Sequence, residues 1–320
     1  MFHIEIQATG GPEVLRFVEA DDPTPGEGAL LVDVAAAGVN FIDTYQRTGL
    51  YPVELPYVPG LEAAGTVVAV GAGVAGVAVG DTVAWSSAPG SYSEMAVVPA
   101  AVAVGVPDGV DAETAAAAML QGLTAHYLVT DTHPLGPGQR CLVHAGAGGV
   151  GLLLIQLAKH LGAEVFTTVG TAAKAELARA AGADHVIEYR DVDFGDEVEH
   201  LAGPRPLDVV YDGVGRTVFR RSLELLRPRG TMVNFGNASG PAEPIAPLDL
   251  APSLFLTRPS LFHYISERAE LERRATDLFD WIAAGELDVR IGERLPLDQA
   301  AEAHRRLEGR LTTGKILLVP

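Results

Sequence analysis

Gly146, Gly148 and Gly151 stand in G-x-G-x-x-G spacing, and that spacing serves one kind of chemistry, the holding of a pyrophosphate against bare backbone. The first glycine permits a tight turn. The second lets phosphate oxygens reach the main chain, and the third lets the following helix pack on the preceding strand. The context fits on both sides. Cys141-Leu142-Val143-His144 reads as a short buried strand, and Leu152-Leu153-Leu154-Ile155-Gln156-Leu157-Ala158-Lys159 as a helix. A helix start there, with Gly149 and Val150 in its first turn, offers free N–H groups and a partial positive charge to an anion. A glycine-rich turn with no ligand is the competing reading, and the flanking strand and helix favour a bound dinucleotide.

The elements around this turn follow an alternating order. Strand 141–144 leads to helix 149–161, strand 164–169, helix 172–181, strand 185–188, a helix within 191–202, strand 208–212, helix 217–227 and strand 230–235. Such alternation predicts a parallel, doubly wound sheet covered by helices. Residues 1 to 122 read differently, as short strands punctuated by Gly and Pro (2–6, 30–34, 65–71 and 81–85), which suggests a partly open barrel. Asp111 reads as the N-cap of a helix starting at Ala112, Gly122 as a break, and residues 123–130 as a second helix. Beyond residue 260 the sequence predicts a helix over 267–284 stopped by Gly285, another over 297–309 capped by Asp298, and a last strand over 314–320.

Bulk properties exclude several classes. The 320 residues are 48% hydrophobic, enough for real cores, and the 36 glycines and 21 prolines punctuate apolar segments instead of forming low-complexity tracts. A formal charge of −18 repels nucleic acid and anionic membranes. The single cysteine, Cys141, excludes an intrachain disulfide and a cysteine-rich zinc cluster. No apolar run reaches the about 20 residues of a membrane span, and the N-terminal residues lack a signal pattern. A cytoplasmic protein is expected.

The sequence resembles the quinone oxidoreductases of the zinc-free branch of the medium-chain dehydrogenase/reductase superfamily, the ζ-crystallin type included. The likeness lies in Gly138-Gln139, Leu142, Gly146-Ala147-Gly148-Gly149, Gly151, Gln156 and Lys159. It extends over Gly10-Gly11-Pro12-Glu13-Val14-Leu15, Gly38-Val39-Asn40-Phe41-Ile42-Asp43-Thr44-Tyr45, Gly49-Leu50-Tyr51-Pro52, Phe235-Gly236-Asn237-Ala238-Ser239-Gly240 and Thr257-Arg258-Pro259-Ser260. It implies an α/β protein with a GroES-like, partly open β-barrel catalytic domain (1–122 and 261–320). A Rossmann domain with a doubly wound parallel sheet (123–260) is inserted within it, and the active cleft is expected between the domains.

An NAD site places an acid about 20 residues beyond the first glycines, on the ribose 2′-OH. Here the second strand ends Val169-Gly170-Thr171 with no carboxylate, while Lys174 and Tyr189-Arg190 follow. An uncharged tip with cations nearby suits a 2′-phosphate, and the cofactor expected is NADPH. The resemblance assigns Gly170, Lys174 and Tyr189 to that phosphate. It also implies pyrophosphate contacts from Gly148, Gly149, Val150 and Gly151, and ribose contacts from Phe235, Gly236 and Asn237. Arg310 and Lys315 are implied near the adenine end or the nicotinamide edge, with a surface charge as the alternative for Lys315. Where zinc-dependent relatives carry a cysteine and a Gly-His-Glu segment, this chain has Asn40 and Pro59-Gly60-Leu61-Glu62. The nine histidines show no ligand spacing to replace them, so no metal is expected and each reads as an ordinary surface or core residue, with cofactor contact as the alternative for His144, directly before the glycine turn.

The chemistry implied is hydride transfer from nicotinamide to a quinone, with a proton supplied to the carbonyl oxygen. By the resemblance Asn40, Tyr45 and Gln121 lie near the nicotinamide and substrate, and Tyr51 lines the entrance. Amide hydrogens of Asn40 or Gln121 suit a developing oxyanion. The tyrosines suit proton donation or stacking on a planar ring, and equally a half-buried packing role. Asp43 reads as a structural acceptor, and Glu62 as structural. Reduction of enones or 2-alkenals is the second enzymatic reading, and an RNA-binding ζ-crystallin-like protein the third. Residues 253–260 are expected to pair with a twofold mate in a homodimer.

Overall fold

The computed structural model describes residues 1–251 and 253–320. The chain divides into two units, Met1–Leu123 with Ile265–Pro320, and Thr124–Tyr264. The opening segment holds β1 (Phe2–Glu5), β2 (Arg16–Glu19), β3 (Ala29–Val39), α1 (Phe41–Thr48), β4 (Glu62–Val70), β5 (Thr82–Trp85), β6 (Met95–Pro99), β7 (Val104–Gly105) and α2 (Ala112–Tyr127). The second unit follows with β8 (Arg140–Val143), α3 (Gly149–His160), β9 (Glu164–Val169), α4 (Ala172–Ala180), β10 (His185–Glu188) and α5 (Phe194–Ala202). It continues through β11 (Leu207–Asp212), α6 (Phe219–Leu225), β12 (Leu226–Asn234), β13 (Phe255–Thr257) and α7 (Leu261–Tyr264). The chain then returns to the first unit with α8 (Arg268–Ala283), β14 (Ile291–Pro296), α9 (Ala300–Glu308) and β15 (Lys315–Val319).

The first unit is organised on β3. Among the described residues its sheet runs β14-β15-β3-β4-β5-β7, with β6 also on β3. Leu30, Val32 and Val34 alternate into a core shared with Ile4, Trp85, Tyr92, Val98, Leu297, Ile316 and Leu318. The sequence pattern ends this strand at Val34, because Ala35-Ala36-Ala37-Gly38 has little β-propensity. The strand nevertheless continues to Val39, since partners flank it on both sides. Gly38 pairs Glu62 of β4 and Leu317 of β15, so the register brings Glu62 and the start of β15 to the end of β3.

Two helix expectations are corrected. α2 runs through Gly122 and continues as a π-helical turn, Leu128–Thr132, so residues 123–130 are not a separate helix. A glycine costs a helix about 1 kcal/mol, but a Cβ here would lie 2.6 Å from Leu278 Cδ1 of α8, so close packing fixes the residue. Asp111 does cap α2, accepting from Thr114 N at 2.8 Å. Near the other end of the chain a 3₁₀ turn, Leu297–Gln299, precedes α9. Asp298 lies inside that turn, and Gln299 is the residue before the helix.

In the second unit the strands run β10-β9-β8-β11-β12-β13, all parallel. Order reverses at β8, and the crevice at such a switch point, beyond the carboxyl ends of the strands, is where ligands bind. Leu142, Phe166, Val210 and Met232 are fully buried, as central parallel strands covered on both faces require. Cys141 is buried in β8, and burial pushes its thiol pKa up to about 12, which leaves it inert. Among the described residues no helix is long and apolar enough to cross a membrane.

Candidate active site

Beyond β8 the backbone turns at Ala145, held at φ 56, and reaches Gly148, the residue before α3. The three fingerprint glycines serve different ends. A Cβ on Gly146 would collide with Thr167 Oγ1, and one on Gly151 with Ala145 O, so both are packing glycines. A Cβ on Gly148 would meet only Ala145 O, at 3.2 Å. Its missing side chain leaves space. No side chain caps α3, so the first-turn N–H groups of Gly149, Val150 and Gly151 suit an anion. His144 lies just before this turn but does not serve it. Its Nδ1 lies 2.9 Å from Thr168 Oγ1 and its Nε2 2.8 Å from Ser222 Oγ. Burial pulls its pKa down to about 3, so it is a neutral core residue.

At the tip of β9 there is no carboxylate. Gly170 is overlaid by Tyr189, whose hydroxyl would lie 2.8 Å from a Cβ at that position, with Arg190 Nε at 3.5 Å. Tyr189 and Arg190 are exposed, and Lys174 is half-buried on α4, behind the Thr171 cap. Farther along the sheet, Asp212 at the end of β11 organises two loops. Its Oδ1 accepts from Val214 N (2.7 Å) and Gly215 N (2.8 Å), and its Oδ2 from Asn234 Nδ2 (3.0 Å). Burial raises its pKa to about 6 against these bonds. Phe235 N donates to Asp212 O, and Asn237, with its amide oxygen on Arg258 Nη2 (3.2 Å), continues the loop.

The first unit gathers a second, buried group of polar side chains. Asn40 ends the extended run of β3 and precedes α1. Its Nδ2 donates to Glu62 Oε2 (2.8 Å) and Gly38 O (3.2 Å), and its Oδ1 accepts from Lys315 Nζ (2.8 Å) and Gln121 Nε2 (3.3 Å). Lys315 also donates to Glu62, and both are buried, at 1% and 0% exposure. Burial lowers the pKa of the Lys315 ammonium, and Glu62 opposes that shift. Asp43, in the first turn of α1, accepts from Asn40 N (2.8 Å) and Tyr92 Oη (2.9 Å), and burial raises its pKa to about 7.

Behind Asp43 the bonds run in one direction. Arg47 Nη1 lies 3.1 Å from His304 Nδ1, and His304 Nε2 lies 3.2 Å from Tyr92 Oη. Arg47 can only donate, so His304 accepts at Nδ1 and donates from Nε2 to Tyr92, which donates to Asp43. Burial first, and Arg47 second, pull the His304 pKa down to about 3, in keeping with that neutral tautomer. Glu308 takes the other side of Arg47 at 2.7 and 3.1 Å. On α1, Tyr45 meets Phe41 (ring centroids 6.2 Å apart) and Tyr51 (5.3 Å, edge-on), forming an aromatic group beside the polar one.

Residues 26–108 match the family model of the alcohol dehydrogenase GroES-like domain, and residues 149–283 that of the zinc-binding dehydrogenases. The sequence is 45% identical to quinone oxidoreductase 1 of Escherichia coli over 99% of both chains. The chain belongs to the quinone oxidoreductase family. Its first unit has the GroES-like fold and its second the Rossmann fold. The crystal structure of the Escherichia coli quinone oxidoreductase complexed with NADPH matches it with a TM-score of 0.98, at 44% identity and over 100% of both chains. The 2-haloacrylate reductase of a Burkholderia species is 42% identical over 98% of each chain.

In this chain the sequence-predicted residues fall into groups. Gly146 and Gly148 lie in the turn before α3 and Gly149, Val150 and Gly151 in its first turn; Gly170 and Tyr189 meet at the tip of β9; Phe235, Gly236 and Asn237 share the loop after β12. Asn40 and Gln121 are bonded to one another, and Tyr45 and Tyr51 touch. Arg310 lies on the exposed turn after α9, at φ 58. Lys315 is no surface charge: its ammonium is given to Glu62 and Asn40. Asn40 has both amide hydrogens committed inside the protein, so it does not donate to an oxyanion, contrary to the expectation from sequence. Sequence reasoning gives no role to Asp212, Tyr92, Arg47 or His304. Of these only Asp212, an acid closing an apolar parallel strand, carries a local signal. Among the described residues no three His, Cys, Asp or Glu side chains come together as a set able to hold a metal.

Proposed function

We propose that this protein is an NADPH-dependent quinone reductase working without a metal. The observation that carries the reading is the pairing of an open Gly148 turn with a carboxylate-free β9 tip beneath Tyr189 and Arg190. Near full-length identity to quinone oxidoreductases supports it. The residues fit the cofactor: Gly148, Gly149, Val150 and Gly151 would hold the pyrophosphate at the turn that Gly146 packs against Thr167, and Gly170, Lys174 and Tyr189 would hold the 2′-phosphate. Phe235, Gly236 and Asn237 would hold the nicotinamide ribose, on a loop that Asp212 fixes, and Arg310 is assigned to the adenine end or the nicotinamide edge. When bound, NADPH supplies the hydride.

The first unit supplies the acceptor side. Tyr45 and Tyr51 orient a planar ring. Gln121 holds one amide hydrogen on Asn40 and presents the other to the oxygen that gains charge as hydride arrives. Tyr51 or a water beside it delivers the proton, giving the hydroquinone. Glu62 is neutralised by the Lys315 ammonium, a fixed cation that leaves no bare carboxylate to repel the developing oxyanion. The purified protein should oxidise NADPH with 1,4-benzoquinone and use NADH far less well at equal low concentration. Equal efficiency of the two nucleotides would sink the phosphate-pocket argument.

The 2-haloacrylate reductase relative favours a second reading, reduction of a conjugated alkene on the same scaffold. Steady-state comparison of 1,4-benzoquinone with a 2-alkenal ranks the two. A homodimer is proposed through β13, an edge strand on which Phe255 is 61% and Leu256 39% exposed, since an uncovered apolar edge invites pairing. A charge of −18 speaks against a nucleic-acid partner, and a cytoplasmic location is proposed.

A further inference from the structure

Asn40 has four side-chain hydrogen-bonding positions, and all four are filled within the first unit: by Gly38 and Glu62 at Nδ2, by Lys315 and Gln121 at Oδ1. With 4% exposure and no hydrogen left to give, it acts as a junction. Gln121 differs, being half-buried with one amide hydrogen committed to Asn40. The backbone beside it is also pinned, because Leu120 N donates to Glu62 Oε1 at 2.5 Å. Glu62 thus ties α2 to Asn40 and β15, and Lys315 is the cation on which Glu62 Oε2 and Asn40 Oδ1 converge. Gly38 makes room for this arrangement. A Cβ there would collide with Glu62 Oε2 and lie 2.6 Å from Lys315 Cε.

We propose that Lys315 is a positioning residue, whose ammonium locks the Asn40 amide and through it aims the second Nε2 hydrogen of Gln121 at the carbonyl oxygen of the bound acceptor. The inference rests on the reading of Gln121 as the oxyanion donor. A buried ion pair adds little net stability over an apolar substitute of equal volume. What this one supplies is a single orientation for an amide that can otherwise turn over. Without the ammonium, Asn40 Oδ1 loses its charged donor, and the 3.3 Å bond from Gln121 is the longest in the set.

The test is Lys315→Met in a Glu62→Gln background, so that neither charge is left buried alone, compared with Gln121→Ala and with all three changes together. Turnover of 1,4-benzoquinone at saturating NADPH is expected to fall roughly 10- to 100-fold in the Lys315/Glu62 pair, below the roughly 100- to 1,000-fold of deleting an oxyanion donor outright. NADPH affinity and melting temperature report the fold. Adding Gln121→Ala to the pair should cost no more than Gln121→Ala alone, within about twofold. A pair that keeps wild-type turnover, or losses that multiply, would overturn the proposal. Lys315→Arg, which keeps the charge, should restore part of the lost turnover. If the pair does not fold, Gly38→Ala displaces the two ions without removing either, and the same outcomes are read. Binding of 1,4-benzoquinone to the cofactor-free protein by equilibrium dialysis gives a readout besides turnover, expected to weaken in the pair and no further on adding Gln121→Ala. A wild type that binds quinone without reducing it would overturn the activity assigned above and leave Lys315 to be judged by binding. A wild type that reduces it, with losses that multiply, would overturn Lys315 alone.

Discussion

Replacing Asp43 by Asn should make the first unit more stable at alkaline pH and leave it almost unchanged in acid. The carboxylate is fully buried, receives Asn40 N and Tyr92 Oη on Oδ2, and has no partner on Oδ1. Burial raises its pKa from 3.8 to about 7. The sign follows from proton counts. Below about pH 4 both folded and unfolded states hold the proton; between about 4 and 7 only the folded state does; above about 7 neither does. Stability is therefore lost as pH rises through this window. At about 1.4 kcal/mol per pKa unit, the displacement from 3.8 to about 7 amounts to about 4 kcal/mol at alkaline pH. Asparagine keeps the acceptor oxygen for Asn40 N and Tyr92 and mimics the protonated acid. Both tryptophans, Trp85 and Trp281, belong to the first unit, so fluorescence in a urea titration follows that unit alone. The difference between Asp43→Asn and wild type, measured at about pH 5 and about pH 8, should grow by several kcal/mol in favour of asparagine. Tyr92→Phe removes a donor to the ionised form and should be costlier at the higher pH. Equal stability differences between wild type and Asp43→Asn at the two pH values would refute the reasoning.

Lys174→Ala should remove a charge-assisted bond of about 1.5–3 kcal/mol, raising the KM for NADPH roughly 10- to 100-fold while leaving that for NADH nearly unchanged in steady-state assays. Gly148→Val should weaken NADPH binding, measured by fluorescence titration, with little change in melting temperature, because a Cβ there meets only Ala145 O. Gly151→Ala, by contrast, collides with packed backbone and should cost about 1–3 kcal/mol of stability in urea. Phe255→Asp with Leu256→Lys should shift a dimer to monomer in sedimentation velocity, and a wild type already monomeric at micromolar concentration would remove the β13 pairing.

The fold and half of the site are legible because their signals are local. Gly146 to Gly151 is one continuous stretch whose strand and helix lie on either side, and the missing acid after Val169 is read from adjacent residues. Period and punctuation likewise reveal the alternating second unit. The first unit's polar group lacks this property. Lys315 meets Asn40 and Glu62 across separations of 275 and 253 residues, and no spacing rule links them. Tyr92, His304 and Arg47 are ordinary residue types until the fold aligns them in one donor-to-acceptor direction. Propensity also misleads where packing overrides it. Ala35 to Gly38 reads as loop and is strand because β4 and β15 close on it, and Gly122 reads as a helix stop and is a contact for Leu278.

The interleaving of the two units in sequence sets an order for the nascent chain. β3 is made early, yet β15, the neighbour that pairs Ala37, Gly38 and Val39, follows only after the whole of the second unit has been synthesised. The continuous Rossmann unit can therefore complete its sheet on the ribosome while the GroES-like unit waits with the Ala37–Val39 end of β3 unpaired on the side that β6 covers only over Ala29–Asp33, and with Glu62 lacking its counter-ion. Arrival of β15 closes that end and brings Lys315 to the acid in the same step, so the first unit is completed only late, with α8, β14, α9 and β15.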